Sequence, residues 1–218
     1  MPRSKVATLD QALAKCHDGM TVMLGGFTNV GSPNKFCRAL ADTGIKDLHI
    51  IANDAGNDKA DGIGTFIVEG RASSLVASHV GLNPKVAEQM NAGTLAVTLV
   101  PQGTLAERIR CGGCGLGGVL TPTDVGTIVA EGKQEIVVDG KTYLLETPLR
   151  AEVAIVKAWK ADTSGNLVYR RAGKNFNPMM AMAADFVIAE VEEIVEVGQI
   201  DPDQVCTPGA CVDMVVQL

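Results

Sequence analysis

The stretch Asp18–Pro33, DGMTVMLGGFTNVGSP, reads as an apolar strand that runs into a glycine-rich turn and then opens a helix. What that turn holds decides the class of protein, because such turns present backbone N–H groups and usually receive something anionic. Two nucleotide-binding solutions can be tested against it. A phosphate-cradling loop, G-x-x-x-x-G-K-[ST], finds its two glycines in Gly26 and Gly31, but Ser32 and Pro33 stand where the lysine and the hydroxyl residue belong. A dinucleotide turn, G-x-G-x-x-G, starts at neither Gly25 nor Gly26. The ligand has to be sought through the rest of the chain.

Outward from this stretch, β-rich runs recur at 21–27, 47–54, 73–81, 95–103, 151–162 and 185–195. Several are almost continuously apolar, as strands covered on both faces are. The segments 33–44, 103–112 and 177–185 between them have helical spacing or composition. This alternation predicts an α/β fold, an open, mostly parallel sheet with helices on both faces. The run 136–146 reads as a small β-hairpin insertion, with Asp139-Gly140 supplying the positive-φ residues of a tight turn. No internal repeat, linker or low-complexity segment interrupts the chain, so 1–218 is expected to be a single domain.

Composition narrows the function. Of the 218 residues 46% are apolar and 20% charged, as in a globular protein, and the net charge of −6 excludes the basic footprint of a nucleic-acid binder. An anionic ligand must then be captured locally, by backbone amides or a few side chains. No run approaches the apolar length of a membrane helix, and the N-terminus lacks the apolar core of a secretory signal, which makes the cytoplasm the expected compartment. Six cysteines without a signal peptide argue against a disulfide framework. Cys111 and Cys114 form a C-x-x-C, but Cys206 and Cys211 are too widely spaced to complete a zinc ribbon, so no metal is expected and the thiols read as small filler.

In parallel sheets ligands bind outside the carboxyl ends of the strands. The residues there are Gly25-Gly26-Phe27, Asn53-Asp54, Ser78-His79 and Pro101-Gln102-Gly103, and the fold class predicts that they converge on one rim. Each taken singly also reads as a helix cap or turn residue. A literal G-x-G-x-x-G does occur, from Gly113 through Gly115 to Gly118, but a helical segment precedes it and turns follow, the reverse of the strand-to-helix context a dinucleotide site needs.

The opening stretch resembles, position by position, the signature of the family I coenzyme A transferases: Asp18-Gly19, the apolar Val22, Met23 and Leu24, then Gly25-Gly26-Phe27, Gly31 and Pro33. IANDAG (51–56), VPQGTLAERIRCGGCGLGG (100–118), TPTDVGT (121–127), KNFNP (174–178) and TPGACVD (207–213) extend the likeness over nearly the whole chain, and the last is closest to the acetate/acetoacetate group. Cys111 and Cys114 depart from the pattern, standing where small alanines are usual.

The resemblance implies an α subunit. In that family the nucleophilic glutamate lies in a Ser-Glu-Asn-Gly motif of the β half, and this chain has no such motif, so no catalytic residue is expected in it. Its own Glu107, Glu131 and Glu146 are expected to be surface charges or structural partners. The implied partner is a β subunit in an α2β2 or higher heteromer, acting on acyl-CoA and a short-chain carboxylate, with coenzyme A a substrate and no cofactor. Gly25, Gly26, Phe27 and Gly31 would cradle the acyl region, and Gln102, with Gly103 and Asn53 beside it, would offer an amide to a carboxylate or thioester oxygen. Two other readings stay open: a sugar-phosphate isomerase of related fold, and a noncatalytic CoA-binding subunit.

Overall fold

Each apolar run read as a strand forms one in the computed structural model, which describes residues 3–218. The main sheet is built from β1 (Thr21–Leu24), β2 (Leu48–Ala52), β3 (Ala72–Ala77), β4 (Ala96–Leu99), β8 (Ala151–Asp162), β10 (Ala184–Val195) and β11 (Met214–Gln217). Its order is β11-β10-β8-β1-β2-β3-β4, all parallel, with the short β9 (Leu167–Val168) paired antiparallel to β8. From β1 the chain adds β2, β3 and β4 on one side, and the later strands fill the other. The order therefore reverses at β1, which makes the carboxyl end of that strand the switch point where such sheets bind ligands.

Alternation along the strands sorts the side chains into two cores. Val22, Leu24, Val153 and Ile155 join one face, and Met23, Ala154 and Val156 the other. The first face is covered by α1 (Leu9–Leu13), α2 (Asn34–Asp42), α3 (Ile63–Val68) and α4 (Pro84–Asn91), whose Phe36, Leu40, Phe66, Ile67 and Val86 are buried against it. The second is covered by α5 (Gln102–Cys114) and α6 (Asn177–Met182), through Leu105, Ile109 and Met180. A fully buried side chain of this size contributes about 1.5–3 kcal/mol. Helices thus cover both faces, as the alternating pattern predicts.

Two boundaries differ from the sequence reading. The strand expected to run to Gly103 ends at Leu99, because Pro101 has no N–H for the ladder and serves instead as the N-cap of α5. Gln102 and Gly103 are consequently the first residues of a helix rather than the last of a strand. The same helix runs two residues beyond the expected 112, through Gly112 and Gly113, because both glycines are sites of close packing. A Cβ on Gly112 would overlap the Leu149 carbonyl oxygen, and one on Gly113 would lie 2.7 Å from Met182 Cβ. Gly115, at φ 68°, closes the helix in the left-handed conformation. The G-x-G-x-x-G string thus ends a helix and opens none.

The expected hairpin is present as β6 (Glu135–Val138) and β7 (Lys141–Glu146), turning at Asp139 (φ 50°) and Gly140 (φ 75°). A third strand, β5 (Val119–Thr121), pairs with β7 and enlarges it to a three-stranded antiparallel sheet. Glu146 ties this sheet to α5: its carboxylate is buried, 2.6 Å from Lys133 Nζ and 3.7 Å from Arg108. Glu107 pairs with Arg110 on the exposed helix surface, and Glu131 is exposed. Among the described residues no helix is long and apolar enough to cross a membrane.

Candidate active site

Gly25 continues β1 for one more bond, its N–H donating to the Ile155 carbonyl at 3.0 Å. The chain then reverses through Phe27 and Val30, which exchange two backbone hydrogen bonds of 3.0 Å. Each glycine of the turn has its own packing reason. A Cβ on Gly25 would overlap Asn177 Oδ1, and one on Gly26 (φ 119°) would overlap Ser32 Oγ. Gly31 (φ 69°) lies on the far side of the turn, where a Cβ would come within 2.6 Å of the Gly173 carbonyl oxygen. Asn177, fully buried, organises that far side: it accepts from Lys157 N–H and donates to the carbonyls of Gly31 and Gly173.

Between these points Thr28 is held at φ 52°, a strained setting for a β-branched residue that costs on the order of 1–3 kcal/mol. Both of its backbone polar groups are gripped. Its N–H donates to Asp54 Oδ2 at 2.7 Å, and its carbonyl accepts from Ser32 Oγ at 2.8 Å. Three of the four amides from Gly25 to Thr28 are therefore spent inside the protein, and what the turn offers a ligand is chiefly close backbone and the Phe27 ring, 41% exposed.

The strand ends do converge. Asn53 and Asp54, both buried, follow β2; Ser78 and His79 follow β3; Gln102 stands exposed at the start of α5. Gln102 Nε2 donates to Asn53 Oδ1 at 2.8 Å, Asn53 Nδ2 donates to Asp54 Oδ2 at 2.7 Å, and Asp54 Oδ1 accepts from Gly56 N–H at 2.8 Å. Ser78 Oγ donates to the Asn53 carbonyl at 2.7 Å, so the 3.0 Å contact between Ser78 Oγ and His79 Nδ1 takes its proton from the imidazole. The His79 ring lies 6.1 Å from that of Phe27, centroid to centroid.

Helix α5 begins without a side-chain cap, so its first-turn N–H groups face the rim with a partial positive charge. Gly103, exposed, has nothing within 4 Å of the position a Cβ would take. Unlike Gly25 or Gly26, it has no internal packing reason to be glycine, and a bare backbone there lets a ligand come close.

Of the residues singled out from sequence, the structure brings together Gly26, Phe27, Asn53 and Gln102, sets Gly103 beside them, and turns Gly31 away toward Gly173. Sequence reasoning missed what Asp54 and Asn177 do. Asp54 stood beside Asn53 in a segment already under suspicion, whereas Asn177 stood in the KNFNP segment with nothing to show its role, since its partners lie at positions 31, 157 and 173. Among the described residues no group of three His, Cys, Asp or Glu side chains is placed to hold a metal.

A parallel sheet reversing at β1, with a glycine turn and a bonded row of amides at that point, is the framework on which similarity to known proteins can be judged. The family model for coenzyme A transferase matches residues 6–218, and the chain belongs to that family. It is 50% identical over 214 residues to the α chain of the acetate CoA-transferase of Escherichia coli strain K12, covering 98% of this chain and 97% of that one. It is 44% identical to the α chain of the acetoacetyl-CoA:acetate/butyrate CoA transferase of Clostridium acetobutylicum, over 98% of this chain and 98% of the relative. Among solved structures, an acyl-CoA transferase from Escherichia coli O157:H7 superposes with a TM-score of 0.86 at 21% identity, over 99% of this chain. That protein is longer, and the chain spans about half of it, 47%.

Proposed function

We propose that this chain is the α subunit of a short-chain acyl-CoA:carboxylate CoA-transferase, of the acetate, acetoacetate or butyrate type, and that residues 1–218 form one α-subunit domain. The reading is carried by the Gln102–Asn53–Asp54 row at the switch point, which presents an amide donor and supplies no free nucleophile. Both buried glutamates are committed elsewhere: Glu146 to Lys133 and Arg108, Glu190 to Lys157 at 3.2 Å and to the N–H of Phe36 at 2.8 Å. Asp54 is occupied by three N–H donors. A sugar-phosphate isomerase would need an in-chain acid or base at this rim; these carboxylates are poorly placed to act as one, and His79 is bonded through Nδ1 to Ser78 and forms no ion pair with a carboxylate among the described residues.

The nucleophile then comes from a β subunit, in an α2β2 or higher assembly. Its glutamate attacks the acyl-CoA thioester, forming a mixed anhydride and releasing CoA thiolate. The thiolate attacks the glutamyl carbonyl, giving an enzyme thioester and the free carboxylic acid, and the acceptor acid reverses the sequence. Negative charge develops on a carbonyl oxygen at each addition. The uncommitted N–H of Gln102 is suited to meet it, with Phe27 and the close backbone of Gly26 and Gly103 flanking the acyl group. Coenzyme A is a substrate here, no cofactor is required, and the reaction belongs in the cytoplasm.

Purified chain alone is expected to exchange no CoA between acyl-CoA and carboxylate. Addition of a β-type partner should restore exchange, and hydroxylamine or borohydride trapping in the presence of acyl-CoA should label the partner. Robust exchange by the chain alone, or a label on this chain, overturns the proposal. A folded heteromer that binds CoA without exchanging it would instead leave a noncatalytic CoA-binding subunit.

A further inference from the structure

Amide orientation in side chains such as Asn53 and Gln102 is fixed by what surrounds them, and here the surroundings leave one solution. Asp54 is buried and meets three donors, the N–H groups of Thr28 and Gly56 and the amide of Asn53, so both of its oxygens are acceptors. Asn53 must therefore turn its NH2 toward Asp54 and its oxygen toward Gln102. Gln102 must in turn give its own NH2 to Asn53. That leaves one N–H and the Oε1 of the exposed Gln102 amide without a partner among the described residues.

We propose that Asp54 is a positioning residue for the transfer reaction. It dictates, through Asn53, which face of the Gln102 amide is presented to substrate, and it clamps the strained Thr28 of the glycine turn in the same arrangement. The two halves of the acyl pocket, turn and amide, are thereby set by a single carboxylate oxygen, Asp54 Oδ2, which accepts from both Thr28 and Asn53.

The isosteric change Asp54→Asn removes this determinism. An asparagine amide at position 54 puts an NH2 against at least one of the three donors. If it faces Asn53, both Asn53 and Gln102 can reverse, and Gln102 then points its oxygen inward. The inference rests on the transferase reading, so its test has one readout of turnover and one independent of it. In the assembled heteromer, Asp54→Asn is expected to lower kcat about tenfold or more, with a smaller change in KM, while the variant still folds and assembles with a lowered thermal midpoint. In a Gln102→Ala background the same change should cost several-fold less than in wild type, since the amide it orients is gone and only its hold on the turn remains to be lost. In the 15N spectrum of the full chain, the Gln102 side-chain amide pair, assigned by its loss in Gln102→Ala, should shift on Asp54→Asn.

Equal kcat losses in both backgrounds, or failure of Asp54→Asn to fold and assemble, overturn the proposal by making Asp54 a structural residue only. An unshifted Gln102 signal overturns it as well. If the wild-type heteromer shows no exchange, the transferase reading falls, and the amide signal alone decides whether Asp54 orients Gln102.

Discussion

On one side of the Gly25–Gly31 turn, Asn53 and Gln102 form a row of neutral amides ending on one carboxylate. On the other, Lys157 and Glu190 pair opposite charges in an open cleft of about 570 Å³ whose lining includes Val30, Trp159, Arg170 and Arg171. At the floor of the cleft Lys157 and Glu190 satisfy one another: Lys157 lies 3.2 Å from Glu190 and 3.7 Å from Glu192, while Glu190 also accepts the Phe36 N–H at the uncapped start of α2. In the amide row each bond leaves a directed donor or acceptor over for the next member, and the last one opens to solvent. A buried ion pair closes on itself and serves the fold, whereas a polarised row ending at the surface is suited to a ligand whose charge appears only during reaction.

The most severe way to break this contrast is Gln102→Ala. Removing one preorganised donor typically costs ~100- to 1,000-fold in turnover, and steady-state kinetics of the assembled enzyme should find that loss mainly in kcat. Because Gln102 is exposed, its thermal midpoint should hold. Wild-type kinetics for acyl-CoA and acceptor acid alike would remove Gln102 from the site.

Glu190→Gln sharpens the contrast from the other side. It sets an amide against the Lys157 ammonium where a carboxylate was, and leaving a buried charge partly unpaired should cost about 2–3 kcal/mol in denaturant unfolding. Turnover of the molecules that remain folded should be near wild type. A kcat loss as large as that of Gln102→Ala would mean that the cleft, too, takes part in the reaction.

Asp162, at the far end of β8, gives a pH-dependent control outside both regions. Burial pushes its carboxyl up, but hydrogen bonds from Asn166 and Ser164 outweigh that and hold it below the usual range. A carboxyl depressed in the folded state contributes stability that is fully present above its unfolded value of about 3.9 and is lost as pH falls through the lower folded value. Asp162→Asn should therefore lower the thermal midpoint at neutral pH and converge on wild type only as pH falls through the depressed folded-state value. A constant difference across that range would show that ionisation of Asp162 does not stabilise the fold.

The smallest effect is expected from Cys111→Ala combined with Cys114→Ala, which touches neither region. Cys111 is buried and Cys114 exposed, so the loss should be about 1 kcal/mol of stability from the first, with transfer intact. Alkylation at neutral pH in the native state should reach Cys114 and spare Cys16 and Cys37, because burial pushes the Cys16 thiol up to about 12 and raises the fully buried Cys37 thiol as well. Stoichiometric zinc in the native protein, or collapse of the assembled double variant, would contradict the filler reading.

How much of this was legible in the sequence follows the range of each interaction. The parallel strands announced themselves because burial on both faces leaves continuous apolar runs, and the Asp139-Gly140 turn because its backbone needs particular residues. Helix α3, IGTFIV, was invisible to periodicity: five of its six residues are buried, so it has no polar face and reads like a short strand. Helix α4 was missed although Asn83 caps it and Pro84 opens it, because Val86 is the one buried residue of its eight and leaves almost no apolar face to read. At the site, residue types at strand ends could be listed, but not the direction of an amide. That direction depends on Asp54, whose three donors come from Thr28, Asn53 and Gly56.

Asn177 has a consequence for the order in which the protein is made. The glycine turn lies near the start of the chain, yet β1 pairs with β8 at Val22 and Val153, Gly25 bonds Ile155, and the space beside Gly25 is filled by Asn177. While the chain is being synthesised, β1 through β4 can emerge and pair with one another long before these residues exist. The turn must wait for them, and such distant pairings carry the loop-closure cost that makes them slow. A nascent chain stalled short of position 177 thus lacks β10 and β11 and holds an unfinished turn, so the end of the molecule where a ligand is expected is completed only after most of the chain has been made.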